Sequence, residues 1–276
     1  MNICFIGGGN MASALIGGLL NQGISPQQLR VVEIDTANRE RLKLTYGVVV
    51  FEKQDRQAIE GSDIVVLAVK PQQLREVAGQ LGSLLSGQIV LSIAAGIRLT
   101  DLMRWLQKQN GVFVRAMPNT PALVGAGITG LYSFPPVNML AQQQREGIEK
   151  IMSAVGSFIW IRSEEDMDAV TAISGSGPAY VFYFIEALEQ AGKELGLSEQ
   201  TARQLALETA LGAAKLAHES TEDAATLRAR VTSKNGTTEC ALLSMEANNV
   251  KQHIVAAVHA AATRSKEMGD ELGGAK

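Results

Sequence analysis

The chain has 276 residues and a mass of 29.4 kDa, a length for one or two domains. Hydrophobic residues make up 46% and charged residues 19%, which excludes wholesale disorder. With 25 basic against 28 acidic residues the formal charge is −3, so the basic footprint of a nucleic-acid binder is missing.

The first half alternates short apolar runs with polar, helix-periodic segments, the grammar of βαβ units. Strands are expected at 2–6, 29–34, 48–51, 63–69, 88–94 and 112–116, with helices at 11–22, 39–45, 72–85 and 100–107. Most strands are apolar throughout, as in a parallel sheet covered on both faces. Right-handed crossovers then make the sheet doubly wound. After Thr120 the pattern weakens, with strands at 128–132 and 158–161 around a helix at about 139–154.

The second half is helical: 178–195 ending near Gly196, a helix capped by Ser198 and running to about His218, a break at 233–236, then 237–247 and a last helix from near Asn249. Residues 164–276 hold 22 alanines, no proline follows Pro178 and no aromatic residue follows Phe184. Small side chains bury little area each, so these helices are expected to pack on a second chain. The expected domains are 1–163 and 164–276.

The apolar runs fall far short of the roughly 18 residues of a membrane span. No basic leader or cleavage site precedes the first strand, so a cytoplasmic protein without a membrane partner is expected. Cys4 and Cys240 are the only cysteines, too few for a zinc site or a disulfide framework. The histidines, His218, His253 and His259, form no metal constellation.

Several loops carry chemistry. Gly7-Gly8-Gly9-Asn10-Met11-Ala12 leaves a strand and opens a helix, fitting the dinucleotide fingerprint. Gly7 makes the turn, Gly9 admits a pyrophosphate, and Ala12 lets the helix lie on the strand. The plainer reading is a flexible turn. Glu33, 21 residues past Ala12, sits where an acid accepts from the ribose 2′-OH of NAD and repels the 2′-phosphate of NADP. Arg39 is near enough to offset it, and a solvated strand end beside Asp35 is the alternative. Lys70-Pro71 and Ala94-Ala95-Gly96 end two further strands at the ligand-binding edge; solvent capping and tight packing are their bland readings. Met117-Pro118-Asn119-Thr120-Pro121 is a stiff loop at the same edge.

In the helical half, Ser174-Gly175-Ser176-Gly177-Pro178-Ala179-Tyr180 opens a helix. Thr232-Ser233-Lys234-Asn235-Gly236-Thr237-Thr238-Glu239 places hydroxyls and free N–H groups at another helix start, suited to a carboxylate. Each of these is equally a capped helix when taken alone.

Together, and in this order, the segments resemble the pyrroline-5-carboxylate reductases, over nearly the whole chain. The resemblance implies an N-terminal Rossmann-like doubly wound sheet followed by an all-helical dimerisation domain that interlocks two subunits, often in larger rings. It implies reduction of the cyclic imine Δ1-pyrroline-5-carboxylate to proline by NADPH or NADH. By resemblance Gly7, Gly9, Asn10, Met11, Ala12, Glu33, Lys70, Pro71, Ala95 and Asn119 hold the cofactor. Ser174, Gly175 and Pro178 shape the substrate wall. The amides of Gly236, Thr237 and Thr238 hold the substrate carboxylate, and the Thr238 hydroxyl aids protonation. Glu33-Ile34-Asp35 departs from the Ser, Asn or Arg common in the family after the second strand. The rival readings are a hydroxyacid dehydrogenase of similar layout, for which Lys193 and Lys215 lack a site-like loop, and a non-catalytic dimeric NAD(P) sensor.

Overall fold

A computed structural model describes residues 1–274. The elements run β1 (Ile3–Ile6), α1 (Asn10–Asn21), β2 (Leu29–Val32), α2 (Thr36–Tyr46), β3 (Val49–Phe51), α3 (Arg56–Ile59), β4 (Ile64–Leu67), α4 (Pro71–Leu81), β5 (Ile89–Ser92), α5 (Leu99–Leu106), β6 (Phe113–Met117), β7 (Gly127–Phe134), α6 (Gln142–Ser153) and β8 (Gly156–Trp160). Helices follow: α7 (Asp166–Val170), a π-turn at Thr171–Gly175, α8 (Gly177–Glu194), α9 (Glu199–Glu219), α10 (Ala224–Arg230), α11 (Thr237–Ala247) and α12 (Val250–Gly273).

The eight strands form one sheet in the order β3-β2-β1-β4-β5-β6-β7-β8. Strands β1 to β6 are mutually parallel; β7 runs antiparallel to β6, and β8 parallel to β7. The doubly wound sheet read from the sequence is thus present. Alternate residues of β1 supply opposite faces: Ile3 and Phe5 join Leu15, Leu19, Val31 and Val66 on one side. Cys4 and Ile6 join Val65, Leu67, Leu74 and Trp105 on the other. With both faces covered, the period-2 signal vanishes and the strands read as continuous apolar runs.

The differences from expectation are local. β2 stops at Val32 and α2 begins at Thr36, because the Asp35 carboxylate accepts from Asn38 N at 2.7 Å and caps the helix early. The four-residue α3, capped by Asp55, is too short to show a helical period. The helix expected at 139–154 is split into a 3₁₀ turn at Val137–Met139 and α6.

By their internal contacts the residues form two units, Met1–Gly175 together with the chain from Ala261 onward, and Ser176–Ala260. The first unit includes the end of α12, clasped to α5. Arg98 pairs with Asp270 at 2.7 Å and Arg104 donates to the Gly273 carbonyl at 2.6 Å. A Cβ on Gly273 would fall 2.1 Å from the Asp101 carboxylate, so any larger residue there would have to displace that side chain.

In the second unit α8 and α9 form a hairpin, with Gly192 leaving room for Ala202. Ala202 and Ala206 are the buried apolar residues, while Val181, Phe182, Tyr183, Leu211 and Leu243 are exposed by 52–76%. No described helix is long and apolar enough to cross a membrane.

Inside the first unit the Glu164 carboxylate accepts from Leu99 N at 2.7 Å and from the Arg115 guanidinium at 3.1 Å. The pair's side chains are only 5% and 16% exposed, so removing one partner strands a buried charge. Glu164→Ala is therefore expected to cost about 3–5 kcal/mol. Thermal unfolding at fixed protein concentration checks this, and a midpoint equal to that of the wild type would contradict it.

Candidate active site

The parallel register aligns the strand ends. Ile6, Val32, Leu67 and Ser92 stand level, so the loops carrying Gly7, Glu33, Lys70 and Ala95 emerge along one edge. The chain order reverses beside β1 there, which opens the crevice where such sheets bind ligands.

Gly7 has φ +100°, and a Cβ on it would lie 2.7 Å from the Ala68 carbonyl oxygen. Its N–H donates to Val32 O at 2.8 Å. Gly9 caps α1 without a side chain, and a Cβ there would meet nothing within 4 Å. The Asn10, Met11 and Ala12 amides belong to the helix's first turn, which has no carbonyl partners of its own. Open space, unpaired donors and the positive end of the helix dipole fit a pyrophosphate.

Glu33 is turned toward this loop. Its Oε2 accepts from Gly8 N at 3.0 Å and Asn38 Nδ2 at 2.8 Å, and its Oε1 accepts from Asp35 N at 2.9 Å. A carboxylate has about four acceptor positions, so one remains for a ribose hydroxyl. Arg39 donates to the carbonyls of Glu33 and Ile34, both at 2.8 Å. Arg41 reaches Ser13 Oγ at 3.0 Å and Gly8 O at 3.3 Å. Neither arginine forms an ion pair with a described residue. The sequence drew attention to Glu33 and Arg39; Arg41, Ser13 and Asn38 were not anticipated. Their signal is the one-turn spacing of Asn38 and Arg41 on the face of α2 toward the glycine loop.

Lys70 precedes Pro71 at the start of α4, with its side chain exposed. Ala95 is half-buried in the loop after β5. Asn119 is buried, and its carboxamide joins two segments: Nδ2 donates to Ser174 O and Oδ1 accepts from Ile128 N, both at 3.0 Å. Ser174 and Gly175 lie in the π-turn, a feature frequent at functional sites.

The first unit thus assembles Gly7, Gly9, Asn10, Met11, Ala12, Glu33, Lys70, Pro71, Ala95, Asn119, Ser174 and Gly175. Pro178, Gly236, Thr237 and Thr238 belong to the second. There Gly236 caps α11 without a side-chain acceptor, and a Cβ on it would fall 2.6 Å from Ser233 Oγ. The first-turn amides of α11 are again free to hold an anion, beside the half-buried Thr238.

Cys4 is not placed for nucleophilic work. Burial, slightly offset by Arg30, pushes the Cys4 thiol up to about 12, and Cys240 is a free surface thiol. Among the described residues no group of three or more His, Cys, Asp or Glu could hold a metal ion.

Two family models match separate parts of the chain. Residues 164–268 match the model described as pyrroline-5-carboxylate reductase dimerisation, and residues 2–96 that described as NADP oxidoreductase coenzyme F420-dependent. The chain is 45% identical over 272 residues to the pyrroline-5-carboxylate reductase of Pseudomonas aeruginosa, covering 98% of each. It is similar to the solved pyrroline-5-carboxylate reductase of Coxiella burnetii, with a TM-score of 0.89, 41% identity and coverage of 97% and 98%. The Plasmodium falciparum pyrroline carboxylate reductase with NADP bound gives a TM-score of 0.85, 31% identity and 98% coverage of each chain.

Gly9 offers a clean test of the cradle. Its φ of −67° suits any residue and nothing crowds its Cβ, so Gly9→Val should fold like the wild type. The branched side chain would fill the space at the start of α1. Calorimetric titration should show nicotinamide dinucleotide binding weakened at least about tenfold, the equivalent of ~1.4 kcal/mol. Unchanged affinity would place the pyrophosphate elsewhere.

Proposed function

This chain belongs to the pyrroline-5-carboxylate reductase family, and we infer from that membership that it reduces Δ1-pyrroline-5-carboxylate to L-proline, the last step of proline biosynthesis, with NAD(P)H. It is an NAD(P)H-dependent oxidoreductase acting on a C=N bond. The observation that carries this reading is near full-length identity of 45% to a pyrroline-5-carboxylate reductase; the open cradle at Gly9 supports it independently.

Once bound, a reduced nicotinamide would supply hydride for the imine carbon, and the nitrogen of the substrate's ring would take a proton. In our reading the Asn10, Met11 and Ala12 amides, beside Gly7 and Gly9, bind the pyrophosphate. Glu33 borders the adenosine ribose. Lys70, Pro71, Ala95 and Asn119 line the path toward the nicotinamide. Ser174, Gly175 and Pro178 shape the substrate wall, and the amides of Gly236, Thr237 and Thr238 hold the substrate carboxylate. The Thr238 hydroxyl orients or relays the proton. A cyclic imine is far more basic than a ketone and enters partly protonated, so a strong general acid is not required. Catalysis then rests chiefly on holding two rings in near-attack geometry.

Residues 1–163 serve as the cofactor domain in this proposal, and 164–276, whose last two residues lie outside the described ones, as the substrate and dimerisation domain. A homodimer is supported by the apolar side chains that α8, α9 and α11 leave exposed, and larger rings of dimers extend the same proposal. Cytoplasmic residence is supported by two free thiols in a nicotinamide-dependent enzyme.

Three measurements test this reading. Purified protein should oxidise NADH or NADPH when pyrroline-5-carboxylate is added and form proline; folded protein with no turnover above background would sink the assignment. Thr238→Ala should lower turnover about tenfold to ten-thousandfold while cofactor affinity barely changes, with the deficit growing as pH rises and iminium is lost. An unchanged rate removes Thr238 from the mechanism. Glu33→Ser should raise the NADPH-to-NADH ratio of kcat/KM severalfold, because even ~1 kcal/mol of relieved like-charge repulsion changes an affinity ratio that much. If that ratio does not move at fixed salt, Glu33 does not discriminate.

A further inference from the structure

Ser174 and Pro178 are separated by one helical step of four. In a continuing α-helix the Ser174 carbonyl would accept from the N–H of residue 178. Proline has no N–H, and its ring presses against the carbonyl four residues earlier. The helical path widens over Thr171–Gly175 into a π-turn just where this conflict falls. The next backbone donor is already spent, since Ala179 N donates to Ser176 O at 3.0 Å. The Ser174 hydroxyl is spent too, on Val170 O at 2.8 Å.

The donor that reaches the Ser174 carbonyl comes from 55 residues earlier in the chain: Asn119 Nδ2, at 3.0 Å. Asn119 is itself held, because its Oδ1 accepts from Ile128 N at 3.0 Å at the start of β7. Its side chain is buried at 8% exposure, so water does not compete. The carboxamide is therefore oriented by the sheet and aimed at an orphaned carbonyl.

We propose that Asn119 is a positioning residue for imine reduction, standing in for the N–H that Pro178 lacks, and that it sets the Ser174–Gly175 wall of the substrate site from the cofactor side. This rests on the reductase reading above and goes beyond it. A residue placed beside the cofactor then acts on the substrate, through Ser174. It also explains why an Asn between two prolines and a Pro after a Gly-Ser run occur in one chain: the second motif creates an unpaired acceptor and the first supplies its donor.

The test is a double-mutant cycle on the full-length enzyme. Asn119→Asp keeps the size and the acceptor for Ile128 N but removes the donor. It should lower kcat/KM for pyrroline-5-carboxylate about tenfold while KM for NAD(P)H stays within about twofold. Pro178→Ala restores an N–H four residues after Ser174, so in that background the Asn119→Asp deficit should shrink at least about threefold. Equal deficits in both backgrounds would overturn the proposal. So would a rise in KM confined to NAD(P)H, which would make Asn119 a cofactor ligand only. If Asn119→Asp alone does not fold, a folded and active double variant supports the inference and an equally unfolded one refutes it. Thermal midpoints across the same four proteins decide the hydrogen bond without turnover, so its failure is separable from failure of the reductase assignment.

Discussion

A side chain on Gly7 would put its first carbon 2.7 Å from the Ala68 carbonyl, and much of the molecule follows from that exclusion. The turn after β1 must press on the end of β4, and only glycine allows it, at φ +100°. Once the turn is that tight, α1 starts directly above the sheet edge. Its unpaired amides then face the crevice between diverging strands instead of bulk solvent. Apolar burial of Leu15, Ile16 and Leu19 fixes the helix behind them. The electrostatic character of the site is thus a consequence of packing.

Around this turn the loops are joined by side chains acting on backbone groups. Glu33 carries the Gly8 amide, Glu164 carries the Leu99 amide at the start of α5, and Asn119 carries the Ser174 carbonyl. Each bond is worth little net, about 1 kcal/mol, but leaving its buried partner unpaired costs about 1–3 kcal/mol. The asymmetry makes these residues poor sites for substitution even where they touch no ligand. It also gives the edge a defined shape before any ligand arrives, which lowers the ordering cost of binding.

The helical unit is built on another balance. Its side chains are short, so α8 and α9 approach closely at Gly192 and Ala202, yet little area is removed from water within one chain. Exposed Phe182, Tyr183 and Leu211 are costly on a monomer's surface and favourable in an interface. The region matched to the dimerisation family model, 164–268, contains all three.

Much of the molecule was legible in its residues. Continuous apolar runs marked the strands because both faces of the sheet are covered; glycine and proline marked the turns because few residues tolerate those backbone conformations. The order of the site motifs was equally plain. What escaped were short or competing local choices: the early start of α2 under Asp35, the four residues of α3, and the π-turn before Pro178. Chain chemistry alone settled that residue 178 brings no N–H; that the Ser174 carbonyl lies where it would need one is known only from the π-turn. Which group fills the gap was decided by tertiary structure, as was the turning of Glu33 onto Gly8, 25 residues away. An amide or carboxylate offers several equivalent hydrogen-bonding positions, and no local period says which distant loop will reach them first.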